Sequence, residues 1–203
     1  MRKSLPLMCL FLSLGTSLAQ QKDCELRKST GDLEVYTCKM EGSKINSIQA
    51  SFQVNVPFSV LAEVLLDWEN FNLWQYKIRK AELLQAISKE ELIYRAELDA
   101  PWPVADRDLI LHLKMAPGTK PGEYVFSTVG RPDFIPLREG FVRVPVSDGR
   151  WTIQVHGKDR LEVNHVLSVD PGGSIPAWLL NLSLAEGPFE TYSNLIKYLE
   201  EME

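Results

Sequence analysis

The stretch PWPVADRDLILHLKM, residues 101–115, decides the reading of the fold. From Arg107 to Met115 it alternates. Leu109, Leu111, Leu113 and Met115 share one face of an extended chain, and Asp108, His112 and Lys114 share the other. That period predicts a strand with one buried and one wet face, and hence an antiparallel sheet. Arg107 falls on the apolar face. An unpaired buried guanidinium costs several kcal/mol, so this one needs a partner. Two kinds stay open. One is an internal acid, with Asp159 and Asp99 as candidates. The other is an anionic ligand group such as a phosphate, which a guanidinium grips as a fork.

Working outward, the same period recurs. In SIQASFQVNV (47–56), Ile48, Ala50, Phe52, Val54 and Val56 face one way and polar residues the other. Strands are predicted near 78–87, 91–98, 106–116, 122–129, 140–146, 150–156 and 159–169, several of them separated by Pro-Gly or Asp-Gly pairs. In the last, Leu161, Val163, His165, Leu167 and Val169 share a face. Pro57 stands where a helix begins, and the spacing to Leu73 predicts one or two short helices. After DPGGSIP a long helix is expected. Trp178, Leu182, Ala185, Phe189, Tyr192, Ile196 and Leu199 form one apolar stripe, with a kink at Gly187-Pro188. Such a helix runs roughly 40 Å, about the width of eight or nine strands. The fold class is α+β: a curved antiparallel sheet wrapped around a long C-terminal helix.

The N-terminus, MRKSLPLMCLFLSLGTSLAQ, reads as a secretory leader over residues 1–19, cut after Ala19, followed by one domain over 20–203. Export to the periplasm or the medium follows. The chain carries 27 acidic and 22 basic residues, and loss of Arg2 and Lys3 makes it more acidic still. That balance argues against a nucleic-acid partner. No Cys/His zinc spacing is present. CELRKSTGDLEVYTC (24–38) reads as a hairpin turning near Gly31, which sets Cys24 almost opposite Cys38. In an oxidising compartment the pair is expected to form a disulfide, the alternative being two neighbouring thiols.

A bent sheet gripped by a helix can leave a cavity between the two. Tyr94, Phe126, Trp151 and Trp178 are the inward aromatics available to line one, or simply to pack. His165, on an apolar face, is either a satisfied core histidine or a working base.

In combination, VLLDWENFNLWQY (64–76), APWPVADRDLIL (100–111) and DPGGSIPAWLLN (170–181) resemble the START domain, the lipid-transfer fold of the steroidogenic acute regulatory family. The likeness is greater to exported bacterial START-containing proteins, and it covers Cys24 to the C-terminus. The resemblance implies a helix-grip fold holding one lipid non-covalently in an internal cavity, gated by the last helix and a nearby loop. It also implies a role for Arg107, whose counterpart in phosphatidylcholine-transfer members resembles a head-group ligand. Cholesterol-binding members carry an acid and a base deeper in the tunnel. Counting from the motif, those positions here are Tyr94 and Leu113, neither charged. That departure weighs against a cholesterol-type anchor, though Tyr94 can still hydrogen-bond a hydroxyl.

The expectation is therefore a non-catalytic, monomeric carrier of a lipid or other hydrophobic molecule, without cofactor or metal. Its ligand contacts are expected from Arg107, Tyr94, Trp102, Leu109, Leu111, Phe126, Trp151, His165, Trp178 and Leu182. Residues 99–105 would be a lid stiffened by prolines. Trp102 either makes transient membrane contact there or packs beneath the loop. The alternative is a cyclase or aromatase-like enzyme using His165, Tyr94 and Arg107 on a polyketide, but no nucleophile–base pair or paired carboxylates accompany them. A pure interaction module gains no support from the polar outer strand faces.

Overall fold

Ten strands form one sheet in the computed structural model, which describes residues 23–100, 102 and 104–202. The expected leader and Pro101 and Pro103 of the expected lid lie outside those residues. In chain order the strands are β1 (Cys24–Thr30), β2 (Leu33–Cys38), β3 (Ser47–Val54), β4 (Ile78–Ala86), β5 (Glu91–Leu98), β6 (Asp106–Pro117), β7 (Glu123–Gly130), β8 (Phe141–Arg143), β9 (Val146–His156) and β10 (Arg160–Asp170). Helices α1 (Phe58–Leu66) and α2 (Phe71–Trp74) lie between β3 and β4. Helices α3 (Ala177–Ser183) and α4 (Glu186–Glu200) close the chain.

The sheet order is β1-β2-β3-β10-β9-β7-β6-β5-β4. All of these neighbours are antiparallel, while the short β8 adds in parallel beside the start of β6. This is the α+β helix-grip architecture. Cys24 faces Cys38 in the β1–β2 register and the two are joined by a disulfide.

Helix α4 lies against the sheet. Tyr192, Leu195 and Leu199 are all but fully buried, with the Tyr192 ring 5.8 Å from that of Phe52 on β3. Leu195 falls outside the stripe read from sequence, yet it is buried completely. Spacings of three and four residues keep Tyr192, Leu195 and Leu199 on one helix face.

The C-terminal helix differs from expectation in a second way. The chain breaks between Ser183 and Glu186, upstream of Gly187-Pro188. Pro188 then sits in the first turn of α4, where a missing N–H breaks no helical bond, so it starts a helix instead of kinking one. As α3 is a separate helix, it need not continue the buried stripe of α4. Trp178 and Leu182 are 67% and 64% exposed. Asn181 anchors α3 by accepting from the Asn46 amide and donating to the Lys44 carbonyl.

A third difference lies at Asp148-Gly149, read as a turn between strands at 140–146 and 150–156. The pair is internal to β9, which runs unbroken from Val146 to His156. Asp148 turns outward to accept from the Gly130 amide.

On the outer face, β5 and β6 carry a buried ionic cluster beneath a strap formed by residues 131–145. Asp108, fully buried, accepts from Arg95 at 3.2 Å and from both Nε and Nη2 of Arg143 at 2.9 Å. Arg143 also donates to the carbonyls of Pro132, Ile135 and Pro136, which fastens the strap to the sheet. Burial pushes the Asp108 carboxyl up, but Arg143 and Arg95 outweigh it and hold it below the usual range.

Candidate functional site

Between the concave sheet and helices α2 and α4 lies a cavity of about 400 Å³. Its floor follows from strand alternation. Leu109, Leu111 and Leu113 project from β6, Tyr94 from β5, Phe126 from β7 and Trp151 from β9. His165 and Leu167 enter from β10. Phe71 and Trp74 of α2, with Leu184 and Tyr192, close the other side. Gln75, Tyr76, Lys77 and Asp99 also line it, and Lys77 holds a left-handed backbone conformation, φ 61°.

An aromatic stack organises the middle. The Trp151 ring lies 4.0 Å from that of His165 and nearly parallel, and Tyr192 stands edge-on to both. His165 Nδ1 is 2.7 Å from the Tyr192 phenol oxygen, while its buried Nε2 has no hydrogen-bond partner among the described residues. Burial depresses the His165 pKa to about 3, so the ring is neutral at physiological pH. Burial raises both the Tyr94 and Tyr192 phenols, which stay protonated.

Of the residues expected to meet ligand, Tyr94, Leu109, Leu111, Phe126, Trp151 and His165 line the cavity. Trp178 and Leu182 stand on the exposed side of α3, and Trp102 is 92% exposed, so none of the three packs inward.

Arg107 occupies a position of its own. It is 4% exposed at the start of β6, opposite Leu98, which does line the cavity. Neither acid named from sequence pairs with it. Asp99 is held by Arg79 at 2.9 Å, and a buried oxygen of Asp159 is itself unpartnered among the described residues. Asp106 acts on Arg107 through space, but its own oxygens take Arg79 and the Ala100 amide. Arg107 Nη1 donates to the Ala105 carbonyl, and no carboxylate bridges the guanidinium among the described residues. Burial lowers its pKa, Asp106 partly opposing, yet a guanidinium stays charged at any physiological pH.

Sequence reasoning missed Thr128, Ser147 and Tyr192 as cavity residues. Counting by twos from Phe126 reaches Thr128, and from Trp151 it reaches Gly149 and Ser147, so the strand signal was present.

A START domain model matches residues 23–203. The chain belongs to the START domain family. This START domain is 31% identical to the STAR-related lipid transfer protein of Xanthomonas axonopodis, whose crystal structure it matches with a TM-score of 0.80 over 88% of this chain and 99% of that one. An uncharacterized protein of Pseudomonas aeruginosa is 28% identical over 89% of this chain and 88% of its own length. Mouse phosphatidylcholine transfer protein is 23% identical over 68% of this chain, an alignment that spans 65% of that protein. An aromatase/cyclase from Streptomyces shares the fold at 13% identity and a TM-score of 0.53.

Proposed function

We propose that this START domain is a non-catalytic carrier that binds one hydrophobic molecule in its cavity and engages an anionic part of that molecule with Arg107. The observation that carries the reading is a buried guanidinium with no carboxylate across from it among the described residues, beside Leu98 of the cavity lining. Apolar burial supplies the affinity, at roughly 25 cal/mol per Å². Arg107 supplies orientation, since a bidentate anion would use N–H groups that have no partner among the described residues. The lipid-transfer names of its relatives support the same reading.

We also infer a bacterial, exported protein, periplasmic or secreted, with residues 1–19 as a leader. The disulfide and the bacterial relatives support this. The exposed Trp102 supports transient membrane contact through the 99–105 loop by a protein acting as a monomer. The cyclase reading is weakened by His165, whose depressed pKa makes it a poor base at neutral pH.

The test is native mass spectrometry of protein from its own host, with organic extraction of the bound material, beside Arg107→Leu. A stoichiometric lipid in the wild type, lost or exchanged for a neutral one in the folded variant, is the expected result. Wild-type protein that carries nothing, and that takes up no lipid from vesicles after delipidation, overturns the carrier.

A further inference from the structure

Deep in the cavity, a hydrogen bond is left open. The ring and phenol of the His165–Tyr192 pair are both buried, at 5% and 1% exposure. Tyr192 has no other hydrogen-bond partner among the described residues, which fixes the direction of the bond. If Nδ1 donated, the phenol hydrogen would be buried with no acceptor. If the phenol donates, its hydrogen and Nδ1 are both matched and the ring proton resides on Nε2, so one group is left unmatched instead of two. His165 therefore presents an Nε2–H donor, and that donor is the unpartnered atom.

Gly149 lies close against this donor. A Cβ at position 149 would stand 3.0 Å from His165 Nε2 and 2.5 Å from Thr128 Oγ1. The backbone there is ordinary strand, opposite Thr128 on β7 and Leu167 on β10. Space, not conformation, excludes a side chain at this position. The Thr128 hydroxyl, which also lines the cavity, makes no hydrogen bond to the described residues. Two polar groups, the His165 ring nitrogen and the Thr128 hydroxyl, thus stand close to the Gly149 backbone, and both residues line the cavity.

We propose that this niche receives a carbonyl oxygen of the ligand, with His165 Nε2–H and the Thr128 hydroxyl both donating to it. The inference rests on the carrier reading and narrows its ligand. A carbonyl oxygen has two lone pairs and no hydrogen, so every hydrogen in the niche finds an acceptor. A ligand hydroxyl would accept from Nε2 and donate to Thr128, leaving the threonine hydrogen with nowhere to go. A carboxylate would be a buried charge facing only neutral donors, which costs far more than a carbonyl. About 400 Å³ lies near the small end of the roughly 300–1,000 Å³ usual for ligand cavities. That size favours one acyl chain or a compact ring system over a two-chain lipid. The ligand class is therefore a single-chain or ring-shaped compound whose buried part carries a neutral carbonyl, an ester or ketone, apart from the anionic group at Arg107, or a lipid that inserts one such arm.

The experiment uses the delipidated full domain and matched probes delivered from phosphatidylcholine vesicles: methyl palmitate, hexadecanol, palmitic acid and hexadecane. Uptake is measured for wild type, Thr128→Val and Gly149→Ala, with thermal melting to verify folding. Wild type is expected to favour the ester over the hydrocarbon by about tenfold, the worth of one or two buried hydrogen bonds. Thr128→Val should reduce that preference severalfold, and Gly149→Ala should erase it. The ester's infrared carbonyl stretch should fall on binding to wild type and fall less with Thr128→Val. A wild type that takes up ester and hydrocarbon alike overturns the niche and leaves the carrier standing. A preference for hexadecanol, or a preference for palmitic acid that survives Arg107→Leu, overturns the carbonyl assignment. Uptake of no probe overturns the niche and the carrier together.

Discussion

His165 and Tyr192, at 2.7 Å, join the middle of the last strand to the middle of the last helix through a single buried hydrogen bond. The packed ring remains neutral, and this has a consequence in acid. Its folded pKa of about 3 lies below the ordinary histidine value, so between roughly pH 6.5 and 3 the unfolded chain binds a proton that the native state does not. This contribution to stability is complete above pH 6.5 and is lost as pH falls, at up to about 1.4 kcal/mol per pH unit. Urea unfolding as a function of pH should show the loss beginning near pH 6.5, and His165→Gln should flatten it. Equal slopes for the two proteins would mean that His165 protonates freely in the fold.

Removing the other partner should cost stability at every pH. Tyr192→Phe deletes the donor to Nδ1 while keeping the ring that packs against Phe52 and Trp151. A buried acceptor left unmatched costs about 1–3 kcal/mol, to be read from chemical denaturation at neutral pH.

The Asp108 carboxylate tests the outer face. Asp108→Ala takes the carboxylate partner from Arg143 and leaves Arg95 with Glu97 alone, under the strap. Breaking a buried pair in this way costs about 3–5 kcal/mol, far more than the pair itself need contribute. The strap should loosen with it, and limited proteolysis should cut within residues 131–143 well before the rest of the domain. The carboxyl is held below its usual pKa, so its contribution is present above about pH 3.9 and disappears below it. That window lies beneath the onset of the histidine effect and separates the two.

Much of this architecture is legible in the sequence because strand alternation is a local signal. The inward leucines of β6 and the aromatics of β5, β7 and β9 follow from counting by twos, and the cysteine pairing from folding the hairpin at Gly31. Two misreadings share a cause. Asp148-Gly149 looks like a turn, but this glycine answers to a neighbour across the sheet, Thr128, and no local pattern reveals it. The stripe from Trp178 to Leu199 is continuous in phase, but phase does not report whether the helix beneath it is continuous. Pro188 was the clue, read as a kink when it marked a first turn. The Asp108 cluster was out of reach because Arg95 and Arg143 lie 13 and 35 residues away, brought together only by sheet register and strap.

The disulfide closes the edge hairpin. β1 is the outermost strand on its side and has one neighbour, β2. Cys24 and Cys38 are separated by 14 residues, a loop for which a cross-link contributes about 3 kcal/mol. Replacing both with serine should lower stability by that order in denaturant, with hydrogen exchange in β1 rising first.

The exposed tryptophans bear on how a ligand would reach the cavity. Trp102 and Trp178 are both mostly in solvent, and the loop bearing Trp102 and the segment leading into α3 meet at Arg107. Its guanidinium lies 3.8 Å from where a Cβ on Gly173 would stand, just ahead of α3, and its Nη1 holds the Ala105 carbonyl at the end of the Trp102 loop. Large exposed amphipathic rings on the segments that flank Arg107 suit the interface of a bilayer. Neither ring is core, so the double variant Trp102→Ala/Trp178→Ala should melt within about 1 °C of wild type, as surface changes generally do. Its co-sedimentation with vesicles should weaken by about tenfold or more, given the apolar area each ring would bury. Unchanged sedimentation beside unchanged melting would assign these tryptophans to some other contact and leave the cavity to fill without a membrane encounter at this end.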